Sequence, residues 1–122
     1  MVETKHFRLG DEDATEFYKE FEKHYEIWKK GNSPIVHLSG DELVCLIRDI
    51  RSMSGYAHYF LHLNGASARI DIIYQDRNGK EPFRGKTDRV SYLEGWIVGE
   101  EEPVETLREK LTQIGKVNIQ FE

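Results

Sequence analysis

Tyr56-Ala-His-Tyr-Phe-Leu-His-Leu-Asn-Gly-Ala-Ser-Ala-Arg-Ile-Asp-Ile-Ile-Tyr74 is the stretch on which the fold turns. Asn64-Gly65 interrupts two runs rich in β-branched and aromatic residues. It is the dipeptide that a two-residue type I′ hairpin favours, because both turn positions need positive φ. Closing the ladder there sets Leu63 opposite Ala66, Leu61 opposite Ala68, Tyr59 opposite Ile70 and Ala57 opposite Ile72. These form one apolar face. The other face pairs His62 with Ser67, Phe60 with Arg69, His58 with Asp71 and Tyr56 with Ile73. A one-residue slip would exchange the faces, so the pattern fixes the register.

The flanking elements follow from periodicity. Glu3 to Leu9 reads as a short strand or arm. Asp11-Glu-Asp13 places acids at a helix start, where the macrodipole favours them. Ala14, Phe17, Tyr18, Phe21, Tyr25 and Trp28 recur at helical spacing until Gly31. Ile35 to Leu38 reads as a strand. Ser39-Gly-Asp-Glu42 has the form of a capping box. A second helix is therefore expected, with Leu43, Val44, Leu46, Ile47 and Ile50 as its stripe and Gly55 as its stop. Cys45 would project from the opposite side of that helix.

Beyond the hairpin, Asp76-Arg-Asn-Gly79 signals a turn into a short return strand through Pro82 to Gly85. Val90, Tyr92, Trp96 and Val98 alternate in a further strand, with Gly95 as the expected bulge. Pro103 opens a last helix, whose stripe is Val104, Leu107, Leu111 and Ile114. Gly115 is expected in the left-handed position after it. Val117, Ile119 and Phe121 alternate as a final strand. The sum is one α+β domain over residues 1–122. Its antiparallel sheet has about four to six strands, with helices on one face. The order is ferredoxin-like (split βαβ), with an extra strand and an N-terminal helix.

Composition bounds the function. The chain has 122 residues, of which 39% are hydrophobic and 32% charged, with net charge −5. No apolar run approaches the ~20 residues of a membrane span. The polar start Met-Val-Glu-Thr-Lys-His lacks a signal-peptide core, and a single cysteine allows no internal disulfide, so a cytoplasmic location is expected. Arg77, Lys80, Arg84, Lys86 and Arg89 make residues 77–89 locally basic on an otherwise acidic chain. An acidic body does not follow nucleic-acid phosphates. A basic strip on it can meet an acidic patch on a protein.

Catalytic patterns are thin. His58 and His62 lie on one strand face but ~13 Å apart at about 3.3 Å per residue, too far to share a metal ion. No metal or other cofactor is therefore expected. His58 opposite Asp71 could act as an oriented base, although no nucleophile stands beside it. Neither glycine-rich segment precedes a helix in the way a phosphate cradle does.

The hairpin's second face is more suggestive. It mixes aromatic anchors with an arginine and an ionisable pair, which is the composition of protein interfaces. The expected function is a non-enzymatic protein-binding module, of the inhibitor or immunity type found in bacteria and phage. Its contact residues would be Tyr56, His58, Phe60, Arg69, Asp71 and Arg84. The alternatives are a small-molecule enzyme built on His58 and Asp71, and a homo-oligomer joined through the outer sheet face.

Overall fold

The structure, a computed structural model, describes residues 1–30, 35–38, 41–51, 56–74 and 90–122. The order is β1 (Glu3–Leu9), α1 (Asp11–Lys30), β2 (Ile35–Leu38), β3 (Asp41–Arg51), β4 (Tyr56–Leu63), β5 (Ala66–Tyr74), β6 (Val90–Gly99) and α2 (Glu101–Gly115). The six strands form one antiparallel sheet in the order β1-β6-β5-β4-β3-β2. The chain is thus α+β.

The hairpin register is the expected one at all eight pairs from Tyr56↔Ile73 to Leu63↔Ala66. The turn itself differs. Gly65 has φ 95°, whereas Asn64 stays at negative φ, so the loop uses one left-handed residue instead of two. A Cβ on Gly65 would lie 2.8 Å from Cγ of Pro103. The start of α2 therefore rests against the turn and requires glycine there.

The largest correction concerns Asp41–Arg51, which is a strand and not a helix. The misleading feature is its apolar spacing. Leu43 and Cys45 oppose Leu63 and Leu61 on the inner face. The register then shifts between Cys45 and Ile47, and Ile50 falls opposite the inner-face residue Ala57. One inserted residue turns an even repeat into the i, i+7 spacing of two helical turns. Cys45 is accordingly a core residue, only 6% exposed, and does not lie on an outer helical surface.

The loss of that helix removes the ferredoxin-like order. The chain instead enters along β1 and crosses the sheet on α1. It then returns strand by strand from β2 to β6. Twenty helical residues span about 30 Å at 1.5 Å each. Six strands about 4.8 Å apart cover about 24 Å. So α1 is long enough to carry the chain from one edge of the sheet to the other. The turn at Asp76–Gly79 and the return strand Pro82–Gly85 lie outside the described residues.

Both helices lie on one face of the sheet, in contact with β6 and each other. Beneath them is a core of Phe7, Leu9, Ala57, Tyr59, Leu61, Ile70, Ile72, Leu93 and Ile97. Phe17 and Phe21 bring α1 onto it, with Phe21 and Tyr59 ring centroids 4.4 Å apart. Thr15 pins the first turn of α1 to the sheet, its hydroxyl accepting from the Val90 N–H at 3.1 Å. The expected stripe of α2, Val104, Leu107, Leu111 and Ile114, is buried.

Glycine settles two close approaches. Phe7 opposes Gly95 directly, and a Cβ there would lie 2.1 Å from Cζ of Phe7. No register shift occurs at Gly95. The shift in that strand falls where Ile73↔Tyr92 gives way to Tyr74↔Val90, leaving Ser91 as the extra residue. Gly115 is the last residue of α2, where a Cβ would lie 2.1 Å from Cδ2 of Phe17. The left-handed residue is Lys116, at φ 55°.

Residues 117–122 form no ladder, contrary to the expected final strand. Val117 and Ile119 are nevertheless buried. The Ile119 N–H donates to Thr112 Oγ1 at 3.3 Å, and its carbonyl accepts from Arg108 at 2.8 Å. No helix among the described residues is long and apolar enough to cross a membrane.

Candidate functional site

Strand alternation decides what the sheet shows on the side away from the helices. In β6 the buried positions from Leu93 onward are Leu93, Gly95, Ile97 and Gly99, so Tyr92, Glu94, Trp96 and Val98 face outward. Of the four residues expected to alternate, Val90 is buried while Tyr92, Trp96 and Val98 lie on the other parity, the phase changing at the irregularity beside Ser91. The ladders then align two outer rows across four strands. One is His6–Trp96–Arg69–Phe60, and the other is Arg8–Glu94–Asp71–His58. Each spans about 14 Å, three inter-strand gaps of about 4.8 Å.

The first row is a run of ring-to-ring and cation-to-ring contacts. The His6 and Trp96 centroids are 5.3 Å apart. The Arg69 guanidinium lies 6.0 Å from the Trp96 ring and 5.7 Å from the Phe60 ring. Phe60 meets His58 edge-on at 5.4 Å. The second row alternates in charge. Arg8 approaches Glu94 at 3.6 Å and lies 4.4 Å from the Tyr92 ring centroid. Arg69 donates from Nε to Asp71 Oδ1 at 3.0 Å, which ties the two rows together. Its side chain is 51% exposed, against 14% for Asp71. A guanidinium held at once by a carboxylate and two rings is pre-ordered, and cation–π contacts add ~0.5–1 kcal/mol at exposed sites.

No known protein family, characterised protein or solved structure matches this chain.

Of the six residues singled out from the sequence, His58, Phe60, Arg69 and Asp71 stand together on this face. Tyr56 occupies its expected backbone place opposite Ile73, and Arg84 lies outside the described residues. Sequence reasoning missed His6, Arg8, Tyr92, Glu94 and Trp96 as neighbours of the hairpin. The β1–β6 pairing that brings them there joins opposite ends of the chain. One signal was available. Glu94 shares a parity with Tyr92 and Trp96, and a lone carboxylate marks the outer side of a strand.

The chemistry available to these groups is limited. The Asp71 carboxylate that could orient His58 is also the acceptor for Arg69. His62 Nδ1 and Ser67 Oγ are 3.0 Å apart, and both residues are exposed to solvent. Exposure of this kind provides no water-excluded site in which a serine could be activated. Among the described residues, no three His, Cys, Asp or Glu side chains are grouped to hold a metal ion. Among the described residues, the groups whose acidity is shifted lie on the helices. A hydrogen bond from Lys23, and the charge of Lys116, hold Glu20 below the usual carboxylate range. Arg108 does the same for Glu105 through a hydrogen bond, and its own value rises in return.

Proposed function

We propose that this chain is a non-enzymatic protein-binding module, of the inhibitor or immunity type, that uses the outer face of its sheet. The observation carrying this reading is Arg69 set between Trp96 and Phe60 and fixed by Asp71. Aromatic and arginine side chains with little freedom left to lose are the groups that dominate binding energy at protein interfaces. The flanking charges of Arg8 and Glu94 alternate, which suits choosing a partner by complementarity more than adding raw affinity. Tyr56, opposite Ile73, and Arg84, in the basic stretch 77–89, belong to the proposed surface on sequence grounds.

The alternative built on His58 and Asp71 as a catalytic pair shares its carboxylate with Arg69 and is carried by no observation beyond the cross-strand register. The test is affinity capture from the native host with wild-type protein, Phe60→Ala and Trp96→Ala, read by quantitative mass spectrometry. Truncation of an interface anchor typically costs ~2 kcal/mol or more, about thirtyfold in affinity. A partner held by the wild type should be lost from both variants while their circular-dichroism melts remain cooperative. Folded variants that retain every captured protein would remove the outer face from consideration.

A further inference from the structure

The open edge of β1 is separate from the outer face. In an antiparallel strand, the N–H and C=O of one residue point to the same side, and the side alternates. The His6 carbonyl points away from β6, since it accepts from the Glu122 N–H at 2.8 Å. The backbone groups of Thr4, His6 and Arg8 therefore all face the open edge. Those of Glu3, Lys5, Phe7 and Leu9 face β6. Apart from that single carbonyl, the edge-facing groups have no backbone partner among the described residues. A row of this kind is a template for another strand.

We infer that the β1 edge pairs with the same edge of a second copy, antiparallel and centred on His6, and that Glu122 holds this edge closed in the monomer. The register is fixed by the strand itself. Centring on His6 sets Thr4 against Arg8 of the second copy at both ends, and every edge-facing group of both strands then enters a hydrogen bond. A shift of two residues one way sets Lys5 against Lys5. A shift the other way sets His6 against Arg8, and either shift pushes one end past the strand. The centred register also runs the outer row Phe60–Arg69–Trp96–His6 straight on into its symmetry mate.

The closing segment competes for the group at the symmetry axis. Glu122 takes the His6 carbonyl, and its carboxylate lies 2.9 Å from His6 Nδ1. Beside Arg8 to Gly10 the polar residues of the segment border an open space. An open groove of about 470 Å³ separates Arg8, Leu9 and Gly10 from Asn118, Gln120 and Phe121. Its anchorage is at Ile119, through Thr112 and Arg108, and at Phe121, which packs against the core, so Glu122 can leave the edge without disturbing the core.

Sedimentation equilibrium on the full chain tests the inference. Glu122→Pro removes the competing N–H together with the carboxylate beside His6 Nδ1, and leaves β1 intact; Glu122→Gln, which keeps the N–H, separates the two. One such bond is worth about fivefold, and a dimer releases two, so the dimer dissociation constant should fall roughly 25-fold from wild type. In the Glu122→Pro background, Thr4→Pro should restore the monomer. It deletes an edge-facing N–H and no bond to β6, and proline is tolerated on edge strands. Arg8→Pro makes the same test from the other end, and thermal melts establish which proline variants fold. Equal self-association of wild type and Glu122→Pro overturns the inference, whatever becomes of the β1 variants. So does a Glu122→Pro dimer that survives folded Thr4→Pro or Arg8→Pro.

Discussion

Replacing Gly95 with alanine probes the packing on which the outer face rests. The new methyl would lie 2.1 Å, 2.3 Å and 2.9 Å from Cζ, Cε1 and Cε2 of Phe7. Carbon atoms settle at about 3.5–4.0 Å, so the ring must retreat by about 1.5 Å. Phe7 is wholly buried, which leaves it nowhere to go without disturbing its neighbours. Overpacking of this kind costs about 1–3 kcal/mol. Glycine's extra freedom in the unfolded chain returns at most about 1 kcal/mol to alanine. A net loss of about 2 kcal/mol is expected, near 8 °C in melting temperature for a domain of this size. Urea melts of Gly95→Ala, Phe7→Leu and the double variant would measure the coupling. In the double variant the smaller leucine makes room, so the two effects should fall short of additivity by about 1–2 kcal/mol. Strict additivity would mean that Phe7 does not lie over Gly95, and the β1–β6 register would fall with it.

Other expectations follow from the helices and the core. The folded-state values of Glu20 and Glu105 are depressed. Their contribution is therefore complete above the ordinary carboxylate value of 4.5 and is lost as pH falls through the lower folded values. Acid unfolding curves of Glu20→Gln and Glu105→Gln should be flatter in that window than the wild-type curve. Lys116→Gly should stabilise the fold by about 0.5–1 kcal/mol in a thermal melt, since it relieves a left-handed residue and gives up only an exposed contact to Glu20. Cys45 should react with a thiol reagent far more slowly in the native protein than in the unfolded chain, because it is buried in the core on the inner face of the sheet.

Local chemistry was legible in the sequence, and long-range pairing was not. The β4–β5 register could be read directly, because a two-residue turn and a one-sided apolar face leave a single solution. Both helices were readable from their stripes. Asp41–Arg51 was misread because its bulge re-phases the apolar residues into helical spacing, and because Ser39–Glu42 resembles a cap. The facing of β6 was ambiguous in a different way. Tyr92, Trp96 and Val98 are apolar on one parity, and Leu93 and Ile97 are apolar on the other. Only the neighbours can choose between them, and these are β5, whose register with β6 has no turn signal to fix it, and β1, some ninety positions earlier. The candidate site inherited this limit. Its hairpin half was visible from the turn outward, while the half containing Trp96 and His6 depended on a contact with no local signal.

The pairing of β1 with β6 also sets a sequence of events in time. Leu9 meets Leu93 across the whole intervening chain. Closing a loop of that length costs about 4 kcal/mol in chain entropy, whereas the β4–β5 hairpin closes over two residues. Nothing local compensates β1 for this cost, so it should dock only once the β2–β6 meander gives it a surface. During synthesis β1 leaves the ribosome before the other strands of the sheet and must wait, unpaired, until Gly99 has followed it. Substitutions in β1 should then speed unfolding without slowing folding, and β6 presents a bare edge of its own for as long as that wait lasts.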